Sequence, residues 1–192
     1  MRKVTLEDLS GLARYAEERD RARARIIAVK RDRRVPVGDR VTVVFENFDT
    51  IRFQVQEMVF VERITDIDEI REECAIYNAL LPGERELSAT LFVEVTEQAR
   101  IAEELNRLIG LDEHVVLSVG GIDVPARFEP GRTREDRISA VQYLRFPLPE
   151  AAVEALRREG CPIRLRVDHP AYRVEAQLTE AQRASLAADV AG

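Results

Sequence analysis

Six strand-length segments crowd the second half of this chain, and they limit its possible folds more than any other feature. They are LSATLFVEV (87–95), HVVLSV (114–119), IDVPARF (122–128), ISAVQYLRF (138–146), PIRLRV (162–167) and YRVEAQL (172–178). Each alternates apolar with polar residues and is rich in β-branched or aromatic side chains, the pattern of a strand with one buried face. Gly120-Gly121 suits a tight hairpin turn between two of them. TEQARIAEELNRLIG (96–110) and PEAAVEALRREG (149–160) interrupt the series as helices. TEAQRASLAADVAG (179–192) closes it as a helix expected to fray at its end. EPGRTREDR (129–137) reads as a polar, mobile loop.

The first half has a different character. Thr5 with Asp8 three residues later reads as a capping box, opening a helix expected to run to about Asp32 and to stop before Pro36 and Gly38. One stripe of that helix is Leu12, Tyr15, Arg19, Ala22, Ile26 and Lys30. VTVVF (41–45) and IRFQV (51–55) read as two strands of a hairpin, with Asn47 and Asp49 as turn residues. From Gln54 the spacing turns helical, which puts Val55, Met58, Val59 and Glu62 on one face. Asp66 or Asp68 then caps a helix to about Leu81, burying Ile70, Cys74, Tyr77 and Leu81 before Pro82-Gly83. The expected fold class is α+β: a helical N-terminal half with a β-hairpin (1–84), then a mostly antiparallel sheet flanked by helices (85–192), packed as one unit.

Net charge is −6, unevenly spread. Residues 1–40 hold 12 Lys/Arg against 7 Asp/Glu, whereas residues 41–192 hold 17 against 28. Opposed halves can attract each other within one molecule, between two copies in a homodimer, or across to an acidic partner. The two cysteines, Cys74 and Cys161, form no CxxC pair, and such sparse usage fits a reducing cytoplasm. No apolar run approaches the length that crosses a bilayer. MRKVTLEDLS has no apolar stretch behind its basic residues and does not read as a secretion signal.

Two groups of side chains stand out. Arg19 sits in an apolar stripe and Glu62 on an apolar face, and a lone buried charge needs a partner. We expect Arg19 to meet Glu62 or Glu57, with the hydroxyls of Tyr15 and Tyr77 close by. That cluster is either an internal ion pair or a pocket for an anionic ligand, with Glu57 or Glu62 as base or metal ligand. The second group is the run 14–34, with nine basic residues against four acidic. Its Arg21, Arg25, Arg31, Arg33 and Arg34 form a face that could dock an acidic protein. An acidic chain without Trp or a recognition motif does not read as a nucleic-acid binder. No Gly-x-Gly-x-x-Gly, Walker loop, Gly-x-Ser-x-Gly or Glu-x-x-His occurs, so no cofactor and no metal site is expected.

Taken together, Tyr15, Arg19, KRDRR before Val-Pro-Val-Gly, FEN (45–47), QVQEM (54–58), Glu62-Arg63, YNALLP (77–82), ELSATLFVE (86–94) and VQYLRF (141–146) resemble a bacterial family known as domain of unknown function 3501. The resemblance runs from about Leu6 to Phe146 and brings no assigned activity. It implies a redox setting, because members are often encoded beside rubrerythrin-like and iron–sulfur oxidoreductase proteins. The functional expectation is a non-catalytic accessory or binding protein working with such a partner. The alternative is an enzyme or small-molecule binder that uses the Tyr/Arg/Glu cluster.

Overall fold

The computed structural model describes residues 1–95, 101–130, 133–134 and 137–190. Its organising strand is β2 (Val41–Glu46), buried at every position. A strand buried on both faces must be covered on both, and here a second sheet covers one face and helices the other. β2 pairs backwards with β1 (Arg34–Val37) through a turn containing Gly38, whose φ of +73° favours glycine. β3 (Glu86–Val93) flanks β2 on its other side. β9 (Val141–Pro147) follows β3, and the short β6 (Arg127–Phe128) completes a five-stranded sheet ordered β1-β2-β3-β9-β6. A second sheet of order β11-β10-β4-β5 is built from β4 (Val115–Val119), β5 (Ile122–Pro125), β10 (Ile163–His169) and β11 (Tyr172–Gln177). Every pairing is antiparallel.

Only Ala126 separates β5 from β6, so the chain changes sheets there, its N–H donating to the Val115 carbonyl at 2.9 Å. At the opposite edge the Tyr172 hydroxyl donates to the Val37 carbonyl at 2.6 Å and accepts from the Arg40 N–H at 3.0 Å. The inner faces of both sheets share one core, in which Val43, Phe45, Leu91 and Phe146 meet Leu117, Val119, Leu165 and Val167. Two amphipathic helices, α5 (Glu150–Arg157) and α6 (Glu180–Asp189), add Ala152, Leu156 and Leu186 to that core. The chain also forms α4 (Ile101–Arg107) and a two-residue ribbon of β7 (Thr133–Arg134) with β8 (Arg137–Ile138). The expected fraying beyond Val190, the helix start at 96–100 and, of the expected mobile loop 129–137, residues 131–132 and 135–136 fall outside the described residues.

The helical layer is α1 (Leu12–Arg31), α2 (Phe48–Val61) and α3 (Ile67–Asn78). It has a small core of its own: Val4, Ile51, Val55, Val59, Cys74 and Leu81. The α+β class and the helical start followed by strands hold. So do the cap at Asp66, which accepts from the N–H groups of Asp68 and Glu69, and the buried side of α3.

Two expectations change. IRFQV is not a strand. Asn47 and Thr50 cap each other's backbone reciprocally, which starts α2 immediately after β2, and Ile51, Val55 and Val59 then fall four apart on the buried face. The hairpin partner of β2 precedes it instead, so the N-terminal hairpin belongs to the same sheet as β3 and β9, and that sheet takes strands from both sides of residues 84–85. The first helix is also interrupted. Thr5 and Asp8 do form a capping box, but it closes a single 3-10 turn, Leu6–Asp8. Gln56 occupies both backbone groups of Ser10, so the chain cannot continue helically, and α1 begins only after Gly11.

Candidate functional site

α1 and α2 run in opposite directions, so Tyr15 meets Phe60 and Arg19 meets Glu57. The Arg19 guanidinium grips both Glu57 oxygens, Nε to Oε1 at 2.9 Å and Nη2 to Oε2 at 2.8 Å. The Tyr15 hydroxyl donates to Oε1 at 2.7 Å. The Phe60 ring backs the pair, with its centroid 5.3 Å from the Tyr15 ring and 5.0 Å from the Arg19 guanidinium carbon. The hydrogen bond from Arg19 holds the Glu57 carboxyl below its usual range, with burial opposing and Tyr15 assisting. Burial, and then the Glu57 hydrogen bond, push the Tyr15 phenol up. Of the expected cluster, the structure therefore joins Tyr15, Arg19 and Glu57. Glu62 is the exposed C-terminal cap residue of α2, and Tyr77 packs into the small core beside α3. Glu62 follows the apolar face by spacing, but α2 ends there and nothing covers it.

The basic face divides as well. Arg21, Arg25, Arg31 and Arg34 are exposed, and Arg34 pairs with Glu94 at 2.5 Å. Arg33 is not on that face, being 1% exposed. Its Nε donates to the Phe45 carbonyl at 2.8 Å, one Nη donates to the Glu46 carbonyl, and the fork closes on Asp189 and the Ser185 hydroxyl of α6. Burial pushes the Asp189 carboxyl up, and Arg33 pulls it back. A signal was present in the sequence: Arg33, Val35 and Val37 lie two apart, on the inward face of an extended chain.

Arg21 and Arg25 instead open onto a groove between α1 and α2 of about 340 Å³. Arg52 faces them from α2, and Ala22 and Phe53 line the same groove. Glu18, also lining it, is engaged by Arg14 at 2.8 Å. Among the described residues neither Arg21 nor Arg25 has a hydrogen bond or an ion pair. Arg52 and Phe53 were hidden from sequence reasoning because IRFQV alternates like a strand. As a helix, the segment turns Ile51 inward and sends its next two residues toward α1.

Residues 3–190 match the family described as Protein of unknown function (DUF3501). The chain belongs to this family. It is also similar, with a TM-score of 0.92 and 35% identity, to a crystal structure at 1.90 Å of a novel protein of unknown function from Burkholderia pseudomallei K96243. That likeness covers 98% of this chain and 100% of the other. No curated protein matches the chain.

Several stretches that carry the DUF3501 resemblance meet at one place on the outer face of the five-stranded sheet. The Glu46 carboxylate of FEN, 3% exposed, accepts from the Thr90 hydroxyl of ELSATLFVE at 2.6 Å and from Gln54 Nε2 of QVQEM at 3.1 Å. The Thr50 hydroxyl donates to Oε2, the oxygen that also accepts from Gln54, while Thr90 holds Oε1. This network fastens α2 to β2 and β3. Ser88 of ELSATLFVE donates to the Leu80 carbonyl of YNALLP at 2.7 Å, and Arg145 of VQYLRF reaches the carbonyls of Ala79 and Leu81. These contacts hold the chain that leaves α3 against β3 and β9. Among the described residues no group of three or more His, Cys, Asp or Glu is placed to hold a metal ion.

Proposed function

We propose that this DUF3501 chain is a non-catalytic accessory protein that binds an acidic partner in the groove between α1 and α2. The observation that carries this is that Arg21, Arg25, Arg52 and Phe53 line one groove. A guanidinium accepts carboxylate oxygens in a planar fork, and an aromatic floor lowers the cost of desolvating that contact. The character of α1 supports the reading. Its 20 residues extend about 30 Å, yet only Tyr15 and Ile26 are buried. Most of a basic helix is thus left to a partner. The rubrerythrin-like and iron–sulfur proteins implied by the family resemblance are the first partners to test.

The alternative, an anionic ligand at Tyr15, Arg19 and Glu57, fares less well. Glu57 already occupies the Arg19 fork, so a ligand must displace it. A carboxyl held below its usual range is also a poor base near neutral pH. Titration with a fluorescent oligoglutamate peptide tests the proposal. Binding should weaken as salt rises and should disappear in Arg21→Glu/Arg25→Glu but not in Arg31→Glu/Arg34→Glu. Equal binding by both variants would overturn the groove as the site.

A further inference from the structure

The first ten residues touch the rest of the molecule in the way a bound peptide does. Val4, 2% exposed, is an anchor inserted among Ile51, Val55 and Cys74. Two amide side chains grip the backbone on either side of the turn. Asn78 at the end of α3 accepts from the Val4 N–H at 2.8 Å and donates to the Val4 carbonyl at 2.8 Å. Gln56 on α2 accepts from the Ser10 N–H at 2.6 Å and donates to the Ser10 carbonyl at 3.0 Å. An amide that pairs with both groups of one residue reads a peptide backbone as a neighbouring strand would, independently of side chain. The Thr5–Asp8 capping box and the Arg2–Asp8 pair at 2.9 Å are internal to the segment, while Arg2 also lies 3.8 Å over the Phe48 ring, Arg52 donates to the Asp8 carbonyl at 3.5 Å and Leu9 packs against the small core. The internal box and ion pair let the segment leave the groove as a structured unit.

We propose that residues 1–10 are an exchangeable ligand of the groove on α2 and α3, and that the occupant in trans is the same segment of a second copy of this chain. Three features support exchange. The segment joins α1 at Gly11, which has open space around it and extended backbone angles, so the joint can swing without a clash. Little in α1 fixes the path of the segment: the helix has no side-chain cap at its start, and the Ser10 hydroxyl reaches the Glu18 carboxylate only at 3.4 Å. Cavities of about 630 Å³, lined by Arg71, Cys74 and Asn78, and about 310 Å³, lined by Val59, Ile64 and Ile70, flank the segment. The groove is thus roomier than its occupant. The identical segment of another copy satisfies the Val4 pocket and both amides without any new complementarity, which is how exchange dimers form at low cost.

The test uses a fluorescent synthetic peptide of residues 1–11 and the full chain. The tethered segment competes at an effective concentration of about 1 mM, so wild type should take up the peptide weakly. In Val4→Asp the chain's own segment is expelled, and peptide affinity should rise by about tenfold or more. Adding Asn78→Ala to that variant should reverse the gain. A folded Val4→Asp chain that binds no better than wild type overturns the proposal. Hydrogen exchange on unmodified protein gives the second readout. The amides of Val4 and Ser10 should exchange together and faster than those of α2, and protection equal to that of α2 overturns exchange. Light scattering decides the occupant. Dimer should appear near about 1 mM chain and be absent in Val4→Asp. Peptide binding with no dimer at that concentration would overturn the second copy and assign the groove to a foreign segment.

Discussion

Two of the arginine–carboxylate pairs in this molecule differ in almost everything but chemistry. At the C-terminal seam Arg33, just before β1, and Asp189 of α6 pair across 156 positions of sequence, with side chains 1% and 6% exposed. At the N-terminal seam Arg19 and Glu57 join α1 to α2, with side chains 31% and 21% exposed. Arg33 has its donors met by two strand carbonyls, a serine and the carboxylate, as a buried guanidinium requires. Arg19 is supported on one side by Phe60 and faces water on the other. The depth of each pair follows from what covers it. α6 lies over Arg33, whereas α1 is a single layer on α2. The inner seam holds the fold closed, and the outer one leaves α1 largely exposed.

The comparison breaks most sharply at Arg33. Replacing it with Met leaves Asp189 buried without its counter-charge and should cost about 3–5 kcal/mol. Chemical denaturation checks this, and Arg33→Met/Asp189→Leu should recover most of the loss. If Arg33→Met is nearly silent, the two seams are equivalent and the contrast fails.

A smaller effect is expected at the outer seam. Arg19→Met should lower the melting temperature by less than Arg33→Met does. A double-mutant cycle should show coupling of Arg19 to Glu57 and none to Glu62. Coupling to Glu62 would contradict the geometry. The pH dependence sharpens the point. The folded-state pKa of Glu57 lies below its unfolded value near 4.5. Its charge therefore stabilises the fold fully above that value, and the contribution is lost as pH falls through the depressed folded value. The stability gap between wild type and Glu57→Gln should be widest near neutral pH and close progressively in acid. A gap that widened in acid would have the wrong sign.

The smallest effect is expected at the exposed pair Arg34–Glu94, only one residue along from Arg33. Arg34→Ala should change stability by about 0.5 kcal/mol or less, and less still at high salt. Two adjacent arginines with costs that far apart would demonstrate that position relative to α6, not residue type, sets the energy.

Much of this was legible in the chain. The strand segments of the second half are where their alternation places them, because period 2 needs only a covering layer and not a particular one. Asp66 announced α3, and Gly120-Gly121 announced the β4–β5 turn, where both residues have positive φ. The candidate cluster was legible in half. Arg19 lies on the expected stripe of the first helix, and Glu57, its second expected partner, falls in the segment expected to turn helical from Gln54. IRFQV was read wrongly because Ile51, Phe53 and Val55 satisfy a strand's spacing, while Ile51 and Val55 also satisfy a helix's. The Asn47–Thr50 cap decided between the two readings. The groove of Arg21, Arg25, Arg52 and Phe53 depended on that decision and could not be read before it.

By itself, then, the sequence determined most of the strands and helices, which faces are apolar, and how unevenly charge is spread. Those properties follow from local periodicity and composition. Only the tertiary structure decided which face met which: that β1 precedes its hairpin partner, that β5 and β6 divide between two sheets at Ala126, that Gln56 stops a helix at Ser10, and that α6 buries Arg33. Each of those outcomes depends on a partner distant in sequence. A side chain's spacing tells which way it points and not what will be standing there.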